Sequence, residues 1–133
     1  MRRARIIGMG AYAPKRILTN ADLEKMIETS DAWIVQRSGI RERHIADESE
    51  ATSDLALRAA QQALERANLV PEDIDFIAVG TTTPDMFMPT VGNIVQHRLG
   101  CGRAGSVDLL AACAGSVYSL AFGSQLIQTG KYR

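Results

Sequence analysis

The sequence predicts an α/β domain in which helices pack on a mostly parallel sheet. Three observations carry that expectation. The stretch Ile74-Asp75-Phe76-Ile77-Ala78-Val79-Gly80 is an almost unbroken apolar run, the pattern of a strand buried on both faces. From Thr52 to Asn68, Leu55, Ala59, Ala63, Leu64 and Ala67 fall on or near one helical stripe, with Arg58, Gln62, Glu65 and Arg66 mostly elsewhere, so this helix has a face to lay on a sheet. Strand-like and helix-like segments follow one another in an order read as β-α-α-β-α-β-α, as parallel strands joined by helical crossovers require.

The first element is the run from Ala4 to Tyr12, β-branched at Ile6-Ile7 and closed by glycines, which reads as a strand leaving into a turn at Pro14. Thr19-Asn20 then caps a helix through Ala21–Ile27, whose Leu23, Met26 and Ile27 keep helical spacing. Ser30 or Thr29 opens a second short helix over Asp31–Arg37, with Asp31 at its positive end and Gly39 as its stop. Thr52-Ser53 caps the longer helix. Pro71-Glu72-Asp73 turns the chain into the 74–80 strand, and three threonines with Pro84 lead into an unusually apolar loop, Asp85-Met86-Phe87-Met88. Pro89 starts a helix bearing Val91, Ile94, Val95 and Leu99 and stopped by Gly100. Ser106–Leu110 reads as a third strand, and Ala114–Thr129 as a last helix ending at Gly130.

That last helix has one stripe of Val117, Leu120, Ala121 and Ser124 and another of Tyr118, Phe122 and Leu126, and a helix apolar nearly all round is a buried one. A three-stranded domain has too little protein to bury it. The chain is therefore expected to be part of something larger, and its 133 residues alone neither to fold as a stable monomer nor to turn over substrate.

Composition narrows the function classes. Of the 133 residues, 46% are hydrophobic and 23% charged, and 15 Lys+Arg balance 15 Asp+Glu. A protein that binds nucleic acid or a membrane surface by neutralising phosphates carries a basic excess, so neither partner is expected. Apolar stretches such as Phe76–Val79 fall far short of the roughly 20 residues that cross a bilayer, and no apolar signal core follows Met1-Arg2-Arg3, which points to the cytoplasm. The two cysteines, Cys101 and Cys113, are expected as reduced thiols, because a domain this apolar needs no disulfide.

The sharpest chemical feature is Leu109-Leu110-Ala111-Ala112-Cys113-Ala114-Gly115-Ser116: a strand end, tiny residues, a thiol and a helix start. Small neighbours let a substrate reach the sulfur, the unsatisfied N–H groups of a helix start favour its thiolate, and the Cys113 N–H can face a developing oxyanion. A small cysteine packed in an α/β core is the competing reading. Cys101, between Gly100 and Gly102, reads as structural. His44, in a charged surface run, and His97, on a solvated helix position, match no catalytic motif.

Taken together, Thr29-Ser30-Asp31-Ala32-Trp33-Ile34-Val35-Gln36-Arg37-Ser38-Gly39-Ile40-Arg41-Glu42-Arg43, the Ala111-Ala112-Cys113-Ala114-Gly115 elbow and the opening Ile6-Ile7-Gly8-Met9-Gly10-Ala11-Tyr12-Ala13-Pro14 resemble the β-ketoacyl-acyl-carrier-protein synthase III family, in the same order and at fitting separations. The resemblance covers the whole chain. The cysteine elbow is shared across the thiolase-like superfamily, whereas the Trp33–Arg37 segment points to the synthase III branch.

The resemblance implies a thiolase-like layered fold, of which residues 1–133 form the first part of the N-terminal half, with the C-terminal half absent. It implies that Cys113 takes an acyl group from acetyl-coenzyme A, or another short acyl-coenzyme A, and passes it to malonyl-acyl carrier protein by decarboxylative condensation. It places Thr29, Trp33 and Arg37 at the coenzyme A, with the indole and guanidinium on either side of the adenine; read without it, Trp33 is a core or interface aromatic and Arg37 a solvated charge. Phe87 and Met88 become candidates for the acyl pocket, reaching across a homodimer, or plain interface contacts. No metal and no cofactor are implied, acetyl-coenzyme A being a substrate. The family's second-step His and Asn lie in its C-terminal half. A starter-unit synthase of polyketide or signal biosynthesis shares the elbow and the coenzyme A grip. A further reading makes the chain a non-catalytic piece that folds only with a second half.

Overall fold

The computed structural model describes residues 2–132. They form two units, Ala13–Glu50 and a larger one made of the residues up to Tyr12 with those from Ala51 onward.

In the smaller unit, β1 (Arg16–Thr19) pairs antiparallel with β2 (Glu42–Ile45), Arg16 opposite Ile45 and Thr19 opposite Glu42. Between them lie α1 (Asn20–Glu24) and α2 (Asp31–Ser38). Thr19 and Asp22 form a reciprocal cap on α1, each accepting the other's backbone N–H. Ser30 rather than Thr29 caps α2, its hydroxyl accepting the Trp33 N–H at 3.2 Å, and Gly39 ends it at φ 74°, where a Cβ is unfavourable. The β1–β2 pair was not anticipated, because its strands are too short and too charged to show as apolar runs.

The larger unit holds α3 (Thr52–Ala67), β3 (Phe76–Gly80), α4 (Val91–Leu99), β4 (Gly105–Leu109) and α5 (Gly115–Gln128). β3 and β4 are parallel, Phe76 opposite Gly105 and Gly80 opposite Leu109, as the apolar 74–80 run predicts. α4 and α5 both pack on this pair, and α3 packs on α4. The core sits where α3 meets α4 and the turn after it: Leu57, Val91, Val95, Cys101 and Ala104 are all buried.

Four expectations need correction. Residues 4–12 form no strand. Gly8 and Gly10 lie against the α3 backbone, where a Cβ on Gly10 would stand 1.9 Å from the Ala59 carbonyl oxygen. Gln62 accepts the Ala11 N–H and Arg66 donates to the Met9 carbonyl, so α3 side chains take backbone groups that a ladder would have used. An open apolar cavity of about 630 Å³, lined by Ile6–Gly10 and Phe76–Ala78 among others, adjoins β3 instead. Second, α1, α2 and α3 all precede β3, so the expected order is short by one helix and by the β1–β2 pair.

Third, α5 is not buried all round: Val117 is 62% and Leu120 61% exposed, because only the side carrying Gly115, Ser119, Gly123 and Ile127 is turned from solvent. Fourth, neither Thr52 nor Ser53 caps α3 with its own side chain. Ala51 stands at the cap position, with its N–H held by Asp54, while the Thr52 hydroxyl donates to the Thr83 carbonyl and the Ser53 N–H to Asp85. Similarly, α4 begins at Val91 behind Thr90 rather than at Pro89.

Candidate active site

The elbow is built by backbone contact. β4 ends at Leu109, one turn of 3-10 helix spans Ala112–Ala114, and α5 begins at Gly115. Gly80, at the end of β3, touches the start of α5 so closely that a Cβ on it would lie 2.6 Å from the Gly115 carbonyl carbon. Two facing glycines thus bring the carboxyl end of the parallel pair against the amino end of a helix, the place where α/β sheets bind ligands. The Thr81 N–H donates to the Leu109 carbonyl at 3.3 Å and ties the loop after β3 to the same corner.

Ala112 sits at φ 45°, a left-handed conformation that costs an L-residue about 1–2 kcal/mol. Such a conformation belongs to a sharp strand-to-helix turn that presents the next side chain outward. Cys113 is accordingly exposed and its thiol free. The buried-cysteine reading belongs to Cys101 instead, which is 1% exposed. Burial, then the nearby Glu72, pushes the Cys101 thiol pKa up, disfavouring its thiolate.

Two carboxylates with no local sequence motif fix the loop between Thr81 and Thr90. Asp108, on β4, accepts the Val91 and Gly92 N–H groups at 2.8 Å each and caps α4 across the sheet. Asp85 accepts the Ser53 N–H at 2.9 Å and caps α3 from within the loop. A lone aspartate in the apolar strand Ser106–Leu110 was the available signal for the first. From this pinned base Met86, Phe87 and Met88 stand out, Phe87 being 93% exposed.

In the smaller unit, α2 brings Trp33 and Arg37 together. The Arg37 guanidinium carbon lies 5.5 Å from the Trp33 ring centroid, within cation–π range, and the indole is 56% exposed. Thr29 lines a cavity of about 270 Å³ with Glu28, Ser30 and Trp33. The α2 face and the elbow belong to different units. His44 bonds the Pro14 carbonyl and His97 is exposed on α4. Among the described residues, no group of three or more His, Cys, Asp and Glu could hold a metal ion, and no helix is long and apolar enough to cross a membrane.

No protein-family model matches the chain. It is 55% identical over 130 residues to the β-ketoacyl-[acyl-carrier-protein] synthase III of Caldanaerobacter subterraneus subsp. tengcongensis, covering 98% of this chain and 39% of that protein. The 3-oxoacyl-[acyl-carrier-protein] synthase III of Aquifex aeolicus superposes with a TM-score of 0.92 at 45% identity, covering 96% of this chain and 41% of that one. The priming β-ketosynthase of the R1128 polyketide pathway superposes at 0.95 with 35% identity, covering 99% and 40%. The chain thus spans about two-fifths of the length of the relatives it matches. By sequence and by its thiolase-like fold, this chain is similar to the N-terminal portion of β-ketoacyl-acyl-carrier-protein synthase III proteins.

Proposed function

We propose that this chain supplies the acyl-accepting nucleophile and the nucleotide grip of an acyltransferase that initiates fatty-acid synthesis. The observation that carries the reading is the exposed Cys113 thiol held between the carboxyl end of β4 and the amino end of α5. As thiolate, its sulfur attacks the thioester carbonyl of acetyl-coenzyme A or another short acyl-coenzyme A. The tetrahedral oxyanion is met by backbone N–H donors of the turn, that of Cys113 among them. Collapse expels coenzyme A as its thiolate and leaves an acyl-cysteine thioester. Malonyl-acyl carrier protein then loses carbon dioxide, and the resulting carbanion equivalent attacks the acyl carbonyl, releasing Cys113. That step calls for groups to stabilise the enolate, and neither His44 nor His97 lies in the elbow.

On α2, Trp33 and Arg37 take the adenine of coenzyme A between indole and guanidinium, with Thr29 beside them. Two stacking separations of about 3.5 Å need roughly 7 Å, so the guanidinium moves outward from its 5.5 Å position when the base enters. Trp33→Ala is expected to raise KM for acetyl-coenzyme A by about tenfold, the range of a lost stacking contact, with Cys113 reactivity unchanged. Phe87 and Met88 limit the length of the starter acyl group, in an assembly of two copies.

The direct test is mass spectrometry of the full-length protein after acetyl-coenzyme A alone: one acetyl group on the Cys113 peptide, and none in Cys113→Ser. Acetylation elsewhere refutes the nucleophile. The close superposition on the R1128 priming ketosynthase supports a second reading, a starter-unit synthase for polyketides. Comparing product formation from acetyl-, branched and longer acyl-coenzyme A separates the two.

A further inference from the structure

α2 carries Trp33 and Arg37, yet none of its eight residues is buried. An isolated helix of this length is marginal in water, and Ile34 and Val35, only half-buried, give it little apolar packing to hold it in place. Something polar must do so, and Asn20 is placed for it. Its side chain, 2% exposed, makes three hydrogen bonds. Nδ2 donates to Asp31 Oδ1 at 2.7 Å and to the Ile40 carbonyl at 2.9 Å, and Oδ1 accepts from Arg43 Nη2 at 2.9 Å. Asp31 is the first residue of α2, and Ile40 follows the Gly39 that ends it. One carboxamide therefore grips both ends of the helix, and through Arg43 ties them to β2. The Asn20 N–H, donating to the Arg41 carbonyl at 3.3 Å, adds a fourth hydrogen bond, to the residue just before β2.

We propose that Asn20 is the positioning residue that holds the Trp33–Arg37 face in its base-gripping geometry, a role that rests on reading that face as the coenzyme A site. No other side-chain type of its size supplies both the two-donor and the acceptor end that this junction uses. Aspartate keeps the acceptor for Arg43 but sets a second carboxylate against Asp31, and alanine takes the Asn20 partner from Asp31, from the Ile40 carbonyl and from Arg43, which keeps only its bond to the Leu18 carbonyl on this junction.

The test is steady-state kinetics of the full-length protein with Asn20→Ala, Asn20→Asp and Trp33→Ala, beside the alkylation rate of Cys113. Asn20→Ala is expected to raise KM for acetyl-coenzyme A about tenfold while kcat stays within about twofold and alkylation is unchanged. Asn20→Asp raises KM further, and adding Asp31→Asn to it, which restores a donor and an acceptor in reversed sense, brings KM part of the way back. Should Asn20→Ala yield no soluble protein, Asp31→Ala, which removes one arm of the clamp, takes its place with a smaller rise in KM. If Trp33→Ala raises KM and the Asn20 and Asp31 variants leave it unchanged, or lower only kcat or only the melting temperature, the positioning role is overturned and the coenzyme A site stands. If Trp33→Ala also leaves KM unchanged, the coenzyme A reading itself fails and takes the role with it.

Discussion

Two thiols a dozen residues apart meet opposite environments. Cys101 is enclosed by the α4–β4 turn and its thiolate is disfavoured by burial, whereas Cys113 stands exposed at a helix start. Iodoacetamide at neutral pH is therefore expected to alkylate Cys113 first, with Cys101 reacting only on unfolding, since alkylation needs both access and thiolate. Peptide mapping of a time course reads this directly, and equal rates would remove the elbow's claim to special reactivity. Asp22 offers a second residue-scale case. The Thr19 hydroxyl, then Lys25 and the Thr19 N–H, hold its carboxyl at about 2, below the ordinary 3.8. A carboxyl lowered on folding stabilises the fold fully above the unfolded-state value, and that contribution is lost as pH falls from about 4 toward 2. An NMR titration should place Asp22 near 2 and Thr19→Val should move it up; an Asp22 that titrates at its ordinary value contradicts the cap.

At the scale of elements, the site is a product of close backbone approach and of caps borrowed from distant strands. α5 can begin where it does only because Gly80 lets its backbone come within contact of Gly115. Gly80→Ala would place a Cβ 2.8 Å from the Gly115 carbonyl oxygen and 3.0 Å from the Ser116 nitrogen, backbone atoms that cannot swing aside. The expected result is a loss of about 1–3 kcal/mol, the range for overpacking, together with a changed Cys113 alkylation rate. Urea unfolding beside the alkylation assay measures both, and an unaltered midpoint would mean that the corner yields freely. The caps on α3 and α4 act in the same sense. Asp85 and Asp108 bind helix starts far from themselves in sequence, so the loop carrying Phe87 is pinned at its base while its tip stays free of contacts that would fix its side chains.

For the whole molecule, exposed apolar surface is the dominant fact. Val117, Tyr118 and Leu120 on α5 are each more than half exposed, as are Leu110 beside the elbow and Phe87 and Met88 on the loop. Large apolar groups gathered in this way drive association in water. The 133-residue chain by itself is expected to sediment as species larger than a monomer at micromolar concentration and to bind a hydrophobic dye; a clean monomer without dye binding would contradict it.

Local signals were enough to read most helices and both parallel strands. Ser30, Gly39 and Gly100 punctuate α2 and α4 because capping and left-handed φ are one-residue requirements, and the apolar run at 76–80 and the shorter 107–110 stretch at the end of the second strand need no partner to be recognised. The geometry of the candidate site was legible to the same degree: Cys113 exposed between tiny residues at a strand-to-helix corner, and Trp33 four residues before Arg37 on one helix, their side chains within cation–π range. What sequence could not fix were the properties that depend on a second segment. Whether residues 4–12 pair as a strand depends on what offers them hydrogen bonds, and here α3 side chains take the Met9 carbonyl and the Ala11 N–H. Whether α5 is buried depends on what packs against it, which its own pattern does not contain. The caps by Asp85 and Asp108, the Gly80–Gly115 contact and the clamp at Asn20 are long-range in sequence, so their partners exist only once the chain has folded. Propensity and periodicity are local free energies that the sequence determines by itself; pairing, burial and long-range capping are relations between segments, and only the tertiary structure decides them.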